Sequence, residues 1–178
     1  MKQLTLDDLC RIDVAKYRLA PKIPLVVVAD DIRSASNVGS VFRTCDAFRV
    51  ERLVLCGITP TPPTREIHKT ALGATDSVEW AYEPRIETIL ADYKNKGYDV
   101  YALEQTDSSI MLDDLAVKAG QKAVLVLGNE VNGVSQSALD MVDYALEIPQ
   151  SGTKHSLNVA VAAGIAIYAF FGRFPLVQ

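Results

Sequence analysis

Short apolar runs that alternate with helical segments constrain the fold of this chain more than any other feature. Six runs have the length and composition of strands, at residues 25–29, 52–55, 78–82, 100–103, 124–127 and 145–148. The first run, LVVVA, is rich in branched apolar residues, which is typical of a strand buried on both faces. The alternation predicts an α/β fold, a mainly parallel sheet of about six strands with helices on both faces.

Helix signals follow the predicted strands. Ser36 or Asn37 is predicted to cap a helix whose apolar side includes Val41 and Phe42. Pro84 is predicted to begin another helix, because proline is favoured in the first helical turn. Further helical segments are predicted at residues 66–72, 111–115 and 135–141 and after residue 158.

The size and charge of the chain fit one globular domain. Its 178 residues are enough to bury a proper core. We expect one domain at residues 23–178, preceded by a short N-terminal segment at residues 1–22. The formal net charge of −4 counts against broad, nonspecific binding of nucleic acid, but it permits a local basic patch.

Cysteine usage and hydropathy bear on location. Cys10, Cys45 and Cys56 share no metal-ligand spacing, so reduced thiols in a cytoplasmic protein without a metal site are expected. The N-terminus lacks the continuous apolar core of a signal peptide. The most apolar segment, residues 158–174, is short for a membrane span and begins with polar residues. We expect it to be a buried helix or a subunit interface, with no membrane partner.

Polar loops follow two of the predicted strands. LVLG at residues 125–128 runs into NEVNG, and the strand at 145–148 runs into PQSGTKHSLN. Open α/β sheets bind small molecules at the carboxyl ends of their strands. These loops are therefore the predicted ligand site, although the usual phosphate motifs GxxxxGK[ST] and GxGxxG and the GxSxG elbow are missing.

The polar residues of this region have ordinary explanations when each is taken alone. Arg43 fits a solvated helix charge, Glu130 a carboxylate at a helix start, and Ser156 or Asn158 a helix cap. Together they form a pattern. NVGSVFRT at residues 37–44, LGNEVNGVS at 127–135, and IP at 148–149 followed by SLNVAVA at 156–162 resemble the three ordered motifs of the SpoU/TrmH family. This family belongs to the SPOUT superfamily of RNA methyltransferases, and the resemblance spans about residues 23–172.

The resemblance implies a fold and a cofactor. The family fold is an α/β sheet with a trefoil knot in its C-terminal third, and its cofactor is S-adenosyl-L-methionine, held among the knotted loops. By similarity, the residues that line this site are Leu127, Gly128, Asn129, Glu130, Gly133, Ile148, Pro149, Ser156, Leu157 and Asn158.

The implied reaction is methyl transfer to a ribose 2′-hydroxyl of RNA, without a metal. The residues that match the family's catalytic positions are Arg43, Asn37, Glu130, Ser156 and Asn158. Family analogy makes Arg43 the key residue, often described as the base. A guanidinium is almost never neutral, however, so we prefer Arg43 as a clamp on the adjacent phosphate. The other four residues are expected to hold the ribose, the methyl donor and Arg43 in register.

The resemblance also implies partners. We expect a local basic patch for RNA at one edge of the domain, formed by loop residues Arg33, Arg65, Lys69, Lys154 and His155 together with Arg43. The chain shows no long basic extension, so a compact target such as a tRNA loop is favoured over ribosomal RNA. A homodimer is expected, with the last helix in the interface. The apolar surface of that helix is compatible with an interface and also with a monomer core; its residues are Ile165, Ile167, Tyr168, Phe170 and Phe171.

Two departures and two alternatives stand beside this interpretation. Gln150 replaces a frequent Met after the Ile-Pro pair, and Ala160 replaces a frequent Ser. One alternative is a non-catalytic RNA-binding relative that keeps the fold. The other is a flavodoxin-like or Rossmann-like protein that binds a different nucleotide, which would explain the α/β pattern but not the three motifs.

Overall fold

The protein is described by a computed structural model that covers residues 1–5, 8 and 11–174. In this part of the chain, seven strands form one parallel sheet in the order β3-β2-β1-β6-β4-β7-β5. The strands are β1 Ile23–Asp30, β2 Val50–Cys56, β3 Trp80–Glu83, β4 Asp99–Leu103, β5 Ile110–Met111, β6 Ala123–Leu127 and β7 Tyr144–Glu147. The predicted α/β fold with a mainly parallel sheet is confirmed.

Helices cover both faces of the sheet. They are α1 Val14–Leu19, α2 Ala35–Ala47, α3 Arg65–Ala71, α4 Ala74–Ser77, α5 Ile86–Asn95, α6 Gln136–Leu139 and α7 Val159–Phe171. One hydrophobic cluster joins the sheet to α2, α3 and α7. A second cluster, which includes Leu90 and Ala138, joins the opposite face to α5 and α6. Alternate residues of β1 enter the two clusters, as expected for a strand covered on both sides.

The close packing of α2 against α3 depends on a glycine. A Cβ atom at Gly39 would lie 2.0 Å from the Thr70 hydroxyl oxygen and 2.5 Å from the Ile67 carbonyl oxygen. The missing side chain lets the two helices approach closely. Thr70 adds a hydrogen bond across the same contact, since its hydroxyl donates to the Ser36 carbonyl oxygen at 3.1 Å.

The six predicted strands are all present, with boundaries that shift by up to two residues. The cap of α2 was predicted wrongly: its N-cap is Ser34, whose hydroxyl accepts a hydrogen bond from the Asn37 amide, and not Ser36 or Asn37. The two-residue edge strand β5 and the short helices α1 and α4 were not predicted from the sequence. The predicted turn at 111–115 contains a 3-10 helix at Leu112–Asp114. Strand order does not establish the trefoil knot, which stays a prediction.

Helix α7 divides the predicted dimer residues into two groups. Ile167 and Phe170 are fully buried within the chain, so these two residues belong to the monomer core and not to an interface. Their burial follows from the helical period, which turns every third or fourth residue toward the core. Ile165 and Tyr168 are exposed, and Phe171 is partly buried.

The N-terminal segment packs on the main domain. Tyr17 of α1 is buried, and its hydroxyl donates to the Cys45 carbonyl oxygen at 3.3 Å. Arg18 donates through Nε to the Asp76 carbonyl oxygen at 3.0 Å. The boundary at residue 23 stays a prediction.

The cysteine and membrane predictions have partial answers in the structure. Cys45 and Cys56 are buried free thiols, whereas Cys10 lies outside the described residues. Within residues 1–5, 8 and 11–174, no helix has the length and apolar content that crossing a membrane requires. The same residues include no group of three or more His, Cys, Asp or Glu side chains placed to hold a metal ion.

Candidate active site

A cavity of about 560 Å³ lies at the carboxyl ends of β4, β6 and β7. Its position is the one expected for a ligand of an open α/β sheet, and its volume suits a small molecule. Three strand ends and the loops that follow β6 and β7 form its walls. The lining residues are Leu103, Glu104, Gln105, Leu127, Gly128, Asn129, Glu130, Val131, Asn132, Gly133, Leu146, Glu147, Ile148, Gln150, His155, Ser156, Leu157, Asn158, Val159 and Ala162.

The loop after β6 is closed on itself by its backbone. The amides of Asn129 and Gly133 each donate to the carbonyl oxygen of the other residue, both at 2.9 Å. The Asn129 side chain accepts from the Val131 amide at 2.8 Å and donates to the Asp31 carbonyl oxygen at 2.6 Å. Gly133 has a φ of +71°, a left-handed conformation that glycine adopts without strain. The cavity therefore has one wall of fixed shape.

Glu130 leaves this loop and reaches the start of α2. One carboxylate oxygen accepts from the Arg33 amide at 2.9 Å, and the other accepts from the Ser34 amide at 3.0 Å. The second oxygen also accepts from the Asn37 side-chain nitrogen at 2.9 Å. A carboxylate at the N-terminus of a helix is stabilised by the amides and by the helix dipole. Glu130 thus links the loop after β6 to the start of α2.

Asn37 carries this network on to α7. Its side-chain oxygen accepts a hydrogen bond from the Asn158 side-chain nitrogen at 3.2 Å. The Asn158 side-chain oxygen caps α7 by accepting from the Ala160 amide at 2.9 Å. One residue from each of the three sequence motifs, Asn37, Glu130 and Asn158, therefore belongs to a single hydrogen-bonded chain beside the cavity.

The hydrogen bonds of Glu130 lower the pKa of its carboxyl group. Partial burial opposes ionisation, but the donors from Arg33, Asn37 and Ser34 outweigh it and hold the pKa of Glu130 below its ordinary value of 4.5. A group with a lowered folded-state pKa stabilises the fold above its unfolded pKa and loses that effect as pH falls through the folded pKa. The contribution of Glu130 is therefore complete at pH 7.

We expect Glu130→Gln to destabilise the protein by about 1–2 kcal/mol at pH 7, because an amide has one acceptor oxygen for three donors. Urea unfolding at pH 7 and at pH 3 measures the effect. The difference from wild type should shrink at the lower pH, because protonation of the carboxylate removes the charge that accepts these hydrogen bonds. Asp107→Asn, at an exposed loop carboxylate, serves as the control. An equal difference at both pH values would contradict the charge-based role.

The predicted cofactor residues mostly line the cavity. Nine of the ten do so, and Pro149 does not. Gln150, one of the departures from the family pattern, is also in the wall. The strand end of β4 was missed entirely, although Leu103, Glu104 and Gln105 contribute to the site. Their signal in the sequence was only a polar pair after a predicted strand.

Arg43 lies apart from the cavity of its own chain. It is exposed on α2 and lines a separate shallow depression with residues of α2, α3 and their flanking turns. The depression is lined by Ser40, Arg43, Thr44, Ala47, Phe48, Lys69, Thr70 and Leu72. Two cations from adjacent helices therefore share one surface, while the other predicted catalytic residues gather elsewhere.

The remaining predicted RNA-binding residues do not form one patch around the cavity. Arg33, Arg65, Lys69, Lys154 and His155 are all exposed. Arg65 and Lys69 lie on α3, whereas the sequence placed them in loops. His155 lines the cavity and Lys69 lines the depression with Arg43. The predicted patch is therefore distributed over at least two surfaces of the chain.

Charge distinguishes the cavity from a phosphate site. Three carboxylates, from Glu104, Glu130 and Glu147, are part of its lining, and among the described residues no Lys or Arg is. Phosphate-bearing cofactors are usually held by cations or by a helix N-terminus. The start of α2, which could serve that purpose, is already occupied by Glu130. The cavity suits a neutral or cationic small molecule.

Comparison with known proteins identifies the family. The SpoU rRNA Methylase family matches residues 24–168. The chain belongs to the SpoU rRNA Methylase family. A tRNA (guanosine(18)-2′-O)-methyltransferase from Aquifex aeolicus is 32% identical over 148 residues, which are 81% of this chain and 67% of the relative.

Solved SpoU/TrmH structures share the fold. The crystal structure of the A. aeolicus TrmH/SpoU tRNA modifying enzyme matches with a TM-score of 0.79 and 28% identity, over 90% of this chain and 81% of that one. An AdoMet-bound rRNA methyltransferase from Sinorhizobium meliloti matches with a TM-score of 0.77 and 26% identity, over 85% and 56% of the two chains. The chain spans 30% to 67% of the length of the first curated relatives that it matches.

Proposed function

We propose that this SpoU-family protein is an RNA methyltransferase that uses S-adenosyl-L-methionine to methylate a ribose 2′-hydroxyl, with tRNA favoured over ribosomal RNA. The observation that carries the proposal is the cavity beside the Asn37–Glu130–Asn158 network, built from the three family motifs. The A. aeolicus relative is named for 2′-O-methylation of tRNA, and the S. meliloti structure contains AdoMet. We expect a cytoplasmic location.

The cavity fits the methyl donor in size and charge. Apolar strand ends at Leu103, Leu127 and Leu146 offer a surface for a nucleobase. Carboxylates from Glu104 and Glu147, without a facing Lys or Arg in the described lining, suit a ligand that carries a sulfonium and an ammonium group. The donor supplies a methyl group already activated on a sulfonium. The protein's part is to align that ligand and the RNA ribose and to manage one proton.

Arg43 is proposed to hold the RNA. Its guanidinium can grip a phosphate through two parallel hydrogen bonds, and Lys69 adds a second cation to the same depression. A phosphate clamped beside the acceptor ribose would stand close enough to take the hydroxyl proton. Because Arg43 lies outside the cavity of its own chain, the RNA side and the cofactor side of the reaction must be brought together.

A homodimer would do this. An exposed apolar strip runs from Leu157, just before the last helix, along the helix face at intervals of three or four residues through Val161, Ile165 and Tyr168. Leu157 lines the cavity. At the other end, Tyr168 packs against Phe48, with ring centroids 5.7 Å apart, and Phe48 lines the Arg43 depression. This apolar strip therefore connects the two halves of the site along one helix.

Two-fold symmetry between two copies of this strip would determine which parts of the two subunits meet. If two copies of α7 pack antiparallel through their strips, the Tyr168 end of each helix meets the Leu157 end of the other. Arg43 from one subunit then faces the cavity of the second subunit. We propose this arrangement, in which each active site uses both chains.

We expect the wild-type protein to be dimeric at micromolar concentration and Ile165→Glu to be monomeric and inactive. A glutamate in the strip would bury a charge in an apolar interface, which is strongly unfavourable. Light scattering measures the mass. Thr88→Glu, at an exposed position of α5 on the opposite face of the sheet from α7, is the matched control and should remain dimeric. A monomeric wild type would contradict the proposal.

The reaction is tested by methyl transfer from labelled S-adenosylmethionine to size-fractionated RNA from a host that lacks the protein. Digested products are searched by mass spectrometry for 2′-O-methyl nucleosides. Label in the tRNA fraction supports the full proposal, and label in ribosomal RNA keeps the chemistry but overturns the substrate preference. Measured cofactor binding with no label in any fraction would favour the non-catalytic RNA-binding alternative.

A further inference from the structure

Glu104 is a cavity residue that the sequence motifs do not include. It follows β4 directly and is partly buried. One carboxylate oxygen accepts from the Gln105 amide at 3.0 Å, and the other accepts from the Val134 amide at 2.8 Å. The side chain thus joins the end of β4 to the loop after β6, and its orientation is fixed from both sides.

These two hydrogen bonds leave acceptor capacity on the carboxylate. An ionised glutamate has about four acceptor sites, and the backbone occupies two of them. The Glu104 side chain lines the cavity. Gly133 leaves room for it, because a Cβ atom there would lie 2.2 Å from the second carboxylate oxygen. A pre-oriented anionic acceptor therefore borders the ligand space.

Glu147 provides a contrast within the same cavity. It also contributes a carboxylate to the lining, but among the described residues its side chain accepts no hydrogen bond that would fix its direction. A carboxylate without such donors suits loose attraction of a positive charge. A carboxylate held by two backbone amides suits directional recognition, because little side-chain freedom is lost on binding.

We infer that Glu104 recognises the methyl donor by accepting a hydrogen bond from a ribose hydroxyl of its adenosine. The inference rests on the proposed use of S-adenosylmethionine and adds a specificity residue to that site. A ribose offers two adjacent hydroxyl donors, which match an acceptor at the carboxyl end of a parallel strand. The apolar strand ends of Leu103, Leu127 and Leu146 lie in the same wall. The adenine base can pack against them without using this carboxylate.

The test measures ligand binding by calorimetry rather than catalysis. The ligands are S-adenosylhomocysteine, 5′-methylthioadenosine, and the 2′-deoxy and 3′-deoxy forms of 5′-methylthioadenosine. For wild type, removal of the recognised hydroxyl should weaken binding roughly tenfold to 100-fold, as expected for a hydrogen bond to a charged group. Glu104→Gln should weaken 5′-methylthioadenosine by a similar factor. In that variant, removal of the same hydroxyl should then have less than about a twofold further effect.

A purely structural brace would behave differently. Glu104→Gln would then weaken the natural and deoxy ligands by the same factor, and the two changes would multiply. Glu147→Gln removes the same charge from the same cavity and should show this multiplicative pattern. Coupling at Glu147 instead of Glu104, or equal binding of all the nucleosides to wild type, would overturn the inference even if Glu104→Gln failed to fold.

The ligand series also separates related outcomes. Weakening of S-adenosylhomocysteine alone in Glu104→Gln, with 5′-methylthioadenosine unchanged, would assign the carboxylate to the ammonium group and contradict ribose recognition. If wild type bound none of the adenosine ligands, the proposed function itself would fail. If wild type bound them without coupling to position 104, only the Glu104 inference would fail.

Discussion

Arg43→Ala should reduce methyl transfer by at least about 100-fold, the usual scale for loss of one group that stabilises charge in a transition state. Binding of S-adenosylhomocysteine should stay within about twofold of wild type, because Arg43 does not line the cavity. Single-turnover kinetics and calorimetry measure the two effects. Arg65→Ala, on the neighbouring helix, should change only the salt-dependent affinity for RNA.

Arg43→Lys distinguishes a clamp from a simple charge. A lysine keeps the positive charge but cannot grip a phosphate with two parallel hydrogen bonds. We expect at least about a tenfold loss of rate, corresponding to one lost charge-assisted hydrogen bond. Near-full activity would make bidentate clamping the wrong account.

The proposed sharing of each active site between two subunits makes a sharper test possible. Ala162→Phe should fill the cavity that Ala162 lines, and Arg43→Ala removes the clamp. Each variant alone should be inactive. Random mixing of the two chains should restore about one quarter of wild-type activity, since half of the dimers are mixed and each has one complete site. No restoration, with mixed dimers verified, would place Arg43 and the cavity of one chain in the same site.

Gly128→Ala should have the largest effect on the cavity. A Cβ atom at this position would lie 2.3 Å from both the Gly133 carbonyl carbon and the Val134 amide nitrogen. These are backbone atoms in a loop closed by its own hydrogen bonds, so they cannot move aside as a flexible side chain would. We expect a loss of about 3 kcal/mol in unfolding free energy, at the upper end for overpacking, and loss of measurable S-adenosylhomocysteine binding.

Gly152→Ala is the matched control, because a Cβ atom there has no neighbour within 4 Å. Its unfolding free energy should stay within about 0.5 kcal/mol of wild type. Urea unfolding and calorimetry compare the two variants. Unchanged cofactor binding in Gly128→Ala would mean that the loop tolerates a different conformation and that its fixed shape is unimportant.

Local patterns predicted the layers of this fold well and its details less well. Runs such as residues 25–29 indicate buried parallel strands, since a strand covered on both faces can be apolar at every position. The two-residue β5 has no such signal, because Ile110 and Met111 at the sheet edge are both exposed. Helix α4 is only one turn long, which is too short for a helical period to be visible.

The wrong cap of α2 has a nonlocal cause. Ser34, Ser36 and Asn37 are all good capping residues, so the local sequence does not distinguish between them. Glu130, almost a hundred residues later, accepts hydrogen bonds from the Ser34 amide and the Asn37 side-chain nitrogen and so favours a helix start at this point. No window of sequence around residue 35 contains this information.

The candidate site was likewise predicted in part from local sequence and in part not at all. The family motifs led to nine cavity residues, but Glu104 was missed because it belongs to none of them. Its importance appears only when the sheet brings β4 beside β6 and the Val134 amide within hydrogen-bonding distance. The separation of Arg43 from the cavity was equally hidden, since it depends on the direction in which one turn of α2 faces.

The position of β1 sets a constraint on synthesis. This central strand pairs on one side with β2, which follows within 27 residues, but on the other side with β6, whose partner residues come about a hundred positions later. At roughly 5–20 residues per second, a ribosome takes about 5–20 s to make that intervening stretch. During this interval one edge of this buried strand has no partner, and such edges recruit other chains. A period of aggregation risk therefore falls during translation, before the sheet is complete.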